Sequence, residues 1–252
     1  MSDHSALPIE KADLRGVPSL VWRAGQERRL KLILASAPVN LSADLVDGCG
    51  VGAYLERLIP HAGRVTGLDI EVDRVREAHS RLLQRGASAN LLGGAGELLP
   101  FAGNTFDLVL SHEVLEHVQD DRATLREIVR VLKPGGRLVL FCPNRGYPFE
   151  THGIYWRGKY RFGNIPLVNY LPRPWRNRLA PHVRVYSRAD LDKLFRGLEV
   201  RVLRKAVVFG AYDNVIQRHP RLGRLLRSLL QALEATPLRI FGLSHFWVVE
   251  KL

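Results

Sequence analysis

The chain has 252 residues and a formal net charge of +12, and 46% of its residues are hydrophobic, which suits one α/β domain with additions. No run of 18 or more apolar residues occurs, so no helix is long and apolar enough to cross a membrane, and residues 1–16 lack the apolar stretch of a signal peptide; a cytoplasmic protein is expected. Cys49 and Cys142 are the only cysteines, which argues against a disulfide scaffold.

In chain order, residues 19–36 carry apolar and charged residues at helical spacing and form the core of an N-terminal helical segment, residues 1–39. "ADLVDG" reads as a short buried strand, and "GAYLERLIPHAG" as a helix stopped at Gly63. "RVTGLDI" is the next strand, "EVDRVREAHSRLLQRG" a helix closed by Gly86, and "ANLLGG" a weak third strand. "FDLVLSHE" is a fourth strand, "DRATLREIVRVLKPGG" a helix ending in Pro-Gly-Gly, and "RLVLFCPN" a fifth strand. Residues 145–185 lose this periodicity and read as an inserted cap or lid. "SRADLDKLFRGL" is a helix capped by Ser187, "EVRVLRKAVVFG" a strand, residues 221–233 a helix, and "SHFWVVEK" a last strand. Strands alternating with helices imply a parallel sheet covered on both faces, with ligands bound beyond the carboxyl ends of the strands.

The loop after the first strand, "LVDGCGVGAYL", places Gly48, Gly50 and Gly52 where backbone N–H groups can approach a ligand. Gly48, Gly50 and Ala53 satisfy the dinucleotide G-x-G-x-x-A form, and Asp69 ends the second strand where an acid accepts two ribose hydroxyls, so NAD and S-adenosylmethionine both fit. Asp47 ahead of the first glycine, which can face an ammonium group, favours the second. So does a chain that closes on two strands around a helix in place of a second mononucleotide half.

Together, "LVDGCGVGAYL", "VTGLDI", "ELLPFAGNTFDLVLSHEVLEHV" and "LREIVRVLKPGGRLVLFCPN" resemble class I S-adenosylmethionine-dependent methyltransferases, most of all the type 11 group that includes quinone-biosynthesis enzymes. The resemblance covers about residues 40–145. It implies a doubly wound, mostly parallel seven-stranded Rossmann-like sheet over residues 40–252, whose last strand is antiparallel. It implies that Asp47, Gly48, Gly50 and Gly52 line the methionine and ribose part of the cofactor. Asp69 then holds the ribose, Ile70 lies against adenine, and Ser111 completes the set. The family usually has an Asp facing the adenine amino group where this chain has Ala95; the backbone N–H groups of Gly96 or Glu97, or the Glu97 carboxylate, stand in its place. The family's sheet order also puts one strand between those ending near Cys49 and Cys142, about 9.6 Å across two strand spacings, so two free thiols are expected.

"SHEVLEHV" follows the fourth strand, beside the expected methyl site. If it is helical, Glu113, Glu116 and His117 share one face. The stretch resembles the E-x-x-E-H metal motif of some quinone and small-RNA O-methyltransferases, which carry a further His after the fifth strand; here "PFETHG" offers His152. Three roles stay open: a divalent-cation site built from Glu113, Glu116, His117 and His152, a metal-free base at His117 or His152, and a structural His117.

The charge lies in the second half: residues 1–140 hold 17 Lys and Arg against 18 Asp and Glu, whereas residues 141–252 hold 20 against 7. Residues 141–189 contribute nine basic residues against Glu150 alone, interleaved with aromatic rings. Residues 214–240 form a basic amphipathic insertion: Leu222, Leu225, Leu226, Leu229, Leu230 and Leu233 make one stripe, with Arg221, Arg224 and Arg227 largely off it. Such a helix either docks on the sheet or cap, or lies peripherally on an anionic membrane at its inner face. The expected activity is O-methylation of a small or lipid-linked acceptor such as a quinone precursor, an isoprenoid or a glycolipid. RNA methylation and a non-catalytic cofactor-binding module are the alternatives. The sequence leaves the oligomeric state open.

Overall fold

The computed structural model describes residues 22–36 and 42–252. The N-terminal helix α1 runs over Ala24–Ser36; residues 19–21 of the expected helix, and the rest of 1–39 apart from 22–36, lie outside the described residues. Then follow β1 (Ala43–Asp47), α2 (Ala53–Leu58), β2 (Arg64–Asp69), α3 (Val72–Gln84), β3 (Asn90–Gly93), β4 (Phe106–His112), α4 (Asp121–Val131) and β5 (Leu132–Pro143). After the cap come α6 (Arg188–Phe195), β10 (Val200–Val208), α7 (Asp213–Arg218), α8 (Pro220–Ala232) and β11 (Ser244–Lys251). Within the cap lie β6 (Phe149–Glu150), β7 (Ile154–Trp156), β8 (Lys159–Arg161), β9 (Ile165–Pro166) and α5 (Arg173–Leu179).

The seven-stranded sheet has the order β10-β11-β5-β4-β1-β2-β3, with β11 antiparallel to both β5 and β10 and the remaining neighbours parallel. Both faces are buried, as parallel sheets require, and consecutive residues divide between them. Val139 and Phe141 of β5 pack with Leu30 and Ile33 of α1 and Leu55 of α2. Leu138 and Leu140 pack on the other face with Leu125 and Ile128 of α4 and with Phe195 of α6. Every parallel strand thus ends toward one edge, where the loops after β1, β2, β4 and β5 meet.

Two helices are shorter than the sequence pattern suggests. The helix expected to stop at Gly63 ends at Leu58, because Pro60 lacks the N–H that a further turn needs and its ring clashes with the preceding turn. The helix expected to reach Gly136 ends at Val131: Pro134 ends helical bonding, and Leu132 turns extended and enters β5. Ser187 caps α6 as expected, its hydroxyl accepting from the Asp190 N–H while the Asp190 carboxylate accepts from the Ser187 N–H. Both cysteines are free and buried, and β4 separates β1 from β5.

The cap is a folded unit of two small antiparallel pairs, β6 with β9 and β7 with β8, closed by α5. The α8 stripe packs lightly: Leu222, Leu225 and Leu229 are 62%, 58% and 58% exposed. Gly223 alone is buried on α8, so close to Ile216 of α7 that a Cβ would lie 2.7 Å from the Ile216 Cα.

Candidate active site

The loop after β1 is wound tightly, with Gly48, Gly50 and Gly52 all at positive φ (68°, 54° and 84°). At Gly48 a side chain is excluded twice over, since a Cβ would also stand 2.2 Å from Val114 Cγ2. Asp69 holds the loop from the end of β2: its carboxylate accepts from the Gly50 N–H at 2.8 Å and from the Glu71 N–H at 2.9 Å. The Gly50 amide is therefore committed to Asp69, and Gly50 can line a ligand only through its close backbone.

Asp47 ends β1 fully buried. The Ser111 hydroxyl of β4 donates to it at 3.4 Å, and Gly96 closes over it, where a Cβ would lie 3.2 Å from Asp47 Oδ1. Burial pushes the Asp47 carboxyl up to about 7, the Ser111 hydrogen bond opposes this, and the charges of Asp69 and Glu97 add to it. No cation among the described residues pairs with it. A buried carboxylate without a counter-charge fits the ammonium group of an amino-acid ligand. Ile70 stands half-exposed on the same rim. Glu97 is partly committed, since its Oε1 accepts from the Gln119 N–H at 2.7 Å. Of the groups expected to replace the missing adenine contact beside Ala95, the Glu97 carboxylate thus has only its second oxygen open.

"EVLEH" is not helical. Glu113 takes φ +55° and donates its N–H to the Phe141 carbonyl. The carbonyls of Leu115 and Glu116 accept from the Tyr186 hydroxyl and the Arg184 N–H, so beyond the single turn closed by the His117 N–H on the Val114 carbonyl the segment is bonded to neighbouring chain. The shared helix face expected for Glu113, Glu116 and His117 does not form, and the two carboxyls take opposite states. Glu113 accepts from the Ser244 hydroxyl at 2.8 Å and lies 3.3 Å from Arg29 Nη2. Burial would raise its carboxyl, but Arg29, His112 and Ser244 together hold it at about 2. Glu116, with both oxygens buried and unpartnered, is driven well above the carboxylate range by burial and by the Glu113 charge.

Arg29 was not legible as a site residue. It reaches in from α1, donates to Ser244 Oγ at 2.9 Å and to His112 Nε2 at 2.8 Å, and lies over the Phe141 ring. His112 is held neutral by burial and by Arg29, which lower its pKa to about 3. The cap supplies partners of the expected His152 that sequence reading missed, Glu150 and behind it the buried Arg176. Arg176 Nη2 donates to Glu150 Oε2 at 2.6 Å, and Glu150 Oε1 faces His152 Nδ1 at 3.1 Å and accepts the His152 N–H at 2.9 Å. Burial raises the Glu150 carboxyl, but His152 and Arg176 hold it at about 2. An ionised Glu150 can only accept, so His152 carries its proton on Nδ1 and presents the Nε2 lone pair. The His117 ring centroid lies 5.5 Å away; its Nδ1 is unpartnered, and its pKa falls to about 4 through burial and the proximity of His152.

Of the four expected metal ligands, three converge: Glu116, His117 and His152 each offer an atom within 4.8 Å of the others, while Glu113 is not among them and is held by Arg29 and Ser244. A cavity of about 220 Å³ lined by Arg29, Glu113, Tyr147, Phe149, His152 and Ser244 opens beside this cluster.

The methyltransferase-domain family matches residues 45–140, the span from β1 to β5 that builds the glycine loop, Asp69 and the Ser111–Asp47 contact. Residues 45–140 thus match a methyltransferase domain, and the cofactor this domain implies is S-adenosylmethionine. It is similar to a ubiquinone/menaquinone biosynthesis C-methyltransferase of Desulfotalea psychrophila, 34% identical over 158 residues that cover 59% of this chain and 60% of that protein. It is also similar to a ubiquinone biosynthesis O-methyltransferase of Methylobacterium nodulans, 37% identical over 110 residues that cover 43% and 44% of the two chains. The chain thus spans about half the length of the curated relatives it matches. In fold, it superposes on an S-adenosylmethionine-dependent methyltransferase from Mesorhizobium loti with a TM-score of 0.62 at 20% identity, covering 90% of this chain and 98% of that one. The methyltransferase domain and its cofactor class therefore rest on residues 45–140, whereas Arg29, Glu150, His152 and Arg176 lie outside the matched span.

Proposed function

We propose that this protein is an S-adenosylmethionine-dependent methyltransferase that transfers its methyl group to an oxygen of a small or lipid-linked acceptor, of quinone-precursor, isoprenoid or glycolipid type. The observation that carries the oxygen reading is His152, bonded through Nδ1 to Glu150 and lining the cavity beside the methyltransferase loops. The cofactor supplies an activated methyl on a sulfonium that carries its own leaving group. The chain's own residues then supply alignment and proton removal. Asp47 answers the ammonium group, and Asp69 holds the loop at the ribose. His152 Nε2 takes the acceptor hydroxyl's proton, and the Glu150 carboxylate stabilises the imidazolium that results.

A second reading has its own observation, the convergence of Glu116, His117 and His152. Those residues would hold a divalent cation, which supplies an acidified acceptor hydroxyl, and Glu150 would orient His152 from behind as a carboxylate does for a ligating imidazole. The unpartnered Glu116 oxygens and His117 Nδ1 fit such an ion. The exposed leucines of α8, with Arg221 and Arg224 exposed beside them, support a peripheral contact with an anionic membrane; RNA is the competing partner.

The test is methyl transfer from the labelled cofactor to catechol-bearing quinol precursors, with the product analysed by mass spectrometry. A methoxy product in wild type, lost in His152→Ala, supports the oxygen reading; a ring-carbon product overturns it. Activity that survives exhaustive chelation removes the cation, and activity restored by Mg²⁺ or Mn²⁺ establishes it. Vesicle flotation set against RNA gel shift decides the partner.

A further inference from the structure

A second and larger cavity lies apart from this site. It measures about 720 Å³, within the size range of small-molecule pockets, and shares only Asn144 with the cavity at His152. β10, β11, the loop after β5, the start of α6 and residues 235–240 enclose it. Its walls are fixed by polar bonds. The Asn144 amide donates to the carbonyls of Ile240 and Gly242 at 2.8 and 2.7 Å, and Gly146 packs so tightly that a Cβ would stand 2.1 Å from the Ile240 carbonyl.

The lining has two chemistries. Ala206, Val207, Pro237, Ile240 and the buried Trp247 give an apolar floor. Arg145, Arg188, Lys205 and Arg239 give four cations, and no carboxylate lines the space. Lys205 is paired with Asp192 and lies over the Trp247 ring, and Arg145 donates to the Leu171 carbonyl. Arg188 and Arg239 have no side-chain hydrogen bond or ion pair among the described residues. His245 lines the same wall at 2% exposure. Its Nε2 bonds the Tyr186 carbonyl and must therefore donate, which leaves Nδ1 as a buried acceptor without a partner.

Two uncommitted guanidinium groups over an apolar floor match a ligand that is anionic at one end and hydrocarbon at the other. Guanidinium pairs suit phosphate oxygens by geometry as well as by charge. We propose that this cavity binds an amphiphile with a phosphate-class head and a short isoprenoid or alkyl body. The head meets Arg188 and Arg239, and the body covers Trp247 and Val207. This site is independent of the chemistry at His152.

The test is calorimetric titration of the full chain with monomeric dodecyl phosphate below its micelle concentration. Inorganic phosphate, dodecyl maltoside and S-adenosylhomocysteine are titrated in parallel, on wild type and on Arg188→Gln/Arg239→Gln. Dodecyl phosphate should bind at least tenfold more tightly than either inorganic phosphate or dodecyl maltoside. The double variant should lose at least tenfold of that affinity while keeping its thermal midpoint. Equal binding of dodecyl maltoside would reduce the cavity to an apolar groove, equal binding of inorganic phosphate would reduce it to an anion site, and an unaffected double variant would remove the two arginines; each overturns the proposal. If dodecyl phosphate behaves as expected and S-adenosylhomocysteine does not bind, the cavity stands and the methyltransferase reading falls.

Discussion

If Asp47 answers the cofactor's ammonium group as proposed, cofactor binding is proton-linked. With its carboxyl at about 7 in the ligand-free protein, roughly half the molecules at pH 7 hold it neutral. A cationic ammonium group stabilises only the ionised form, so binding must expel the proton wherever it is present. If the bound carboxyl returns to an ordinary value near 4, the difference of about three units corresponds to roughly 4 kcal/mol. The sign follows directly: affinity is fully present above pH 7 and declines about tenfold per unit below it, or about 30-fold between pH 8 and pH 5.5. Calorimetry of S-adenosylhomocysteine at pH 6, in two buffers of different ionisation enthalpy, should count nearly one proton released. Asp47→Asn should lose affinity about 10- to 100-fold and flatten the pH dependence. It should also be more stable than wild type without ligand at pH 8: the raised folded pKa means that stability present at low pH is lost as Asp47 ionises between about 4 and 7, and Asn escapes that loss. Wild-type affinity constant within twofold from pH 5.5 to 8, with no proton released, would refute the reasoning, because Asp47 would then be ionised before the ligand arrives.

Three further outcomes are expected. Glu150→Gln leaves the buried Arg176 guanidinium with carbonyl partners alone and should cost about 3–5 kcal/mol in urea unfolding, with most of the loss recovered in Glu150→Gln/Arg176→Met. Gly48→Ala meets both a positive φ and the Val114 methyl, so it should weaken S-adenosylhomocysteine binding more than tenfold while lowering stability by about 1–3 kcal/mol. The triple change Leu222→Ser, Leu225→Ser, Leu229→Ser removes exposed side chains and should shift stability by no more than about 1.5 kcal/mol, three times the usual limit for one surface change, yet abolish flotation with anionic vesicles.

The elements visible in the sequence are those whose cause is local. Apolar runs ending in Asp47 and Asp69, the glycines between them and the Ser187 cap all specify their conformation within a few residues, and β1, β2, β4, β11 and the Ser187 cap stand where they were expected. Two helix ends were overrun because the local stop signals Pro60 and Pro134 act before the glycines; the other errors come from bonds formed with distant chain. "EVLEH" has helical spacing, yet its backbone is held by Phe141, Arg184 and Tyr186. The α8 stripe reads equally well as a docked or an exposed helix, because its apolar period records only that a face exists. Arg29 meets His112 across 83 residues, and Arg176 meets Glu150 across 26, within an insertion without periodicity. No spacing rule connects such partners; the signal available was the solitary acid, Glu150, among nine basic residues in 141–189, since a lone carboxylate in such a field is a natural anchor for a buried guanidinium.

That division has a consequence for specificity. The span shared with the methyltransferase-domain family, residues 45–140, builds the cofactor half: the glycine loop, Asp69, Asp47 with Ser111, and the Glu116–His117 turn. The groups that line the cavity proposed for the acceptor come from elsewhere: Arg29 from α1, Glu150 and His152 from the cap, Ser244 from β11. The same fold carries many acceptors when such surrounding segments change. Arg29 also holds the Glu113 carboxyl low, and the Glu113 charge adds to burial in raising the Glu116 carboxyl, so a segment outside the family match bears on the protonation of residues inside it. Removing Arg29 would release the Glu113 carboxyl from its low value and let the two glutamates compete for one proton, which alters the cluster at His117 without touching the cofactor loop. On the proposed reading, acceptor choice lies in α1 and the cap, and substitutions there should change what is methylated while leaving S-adenosylhomocysteine affinity intact.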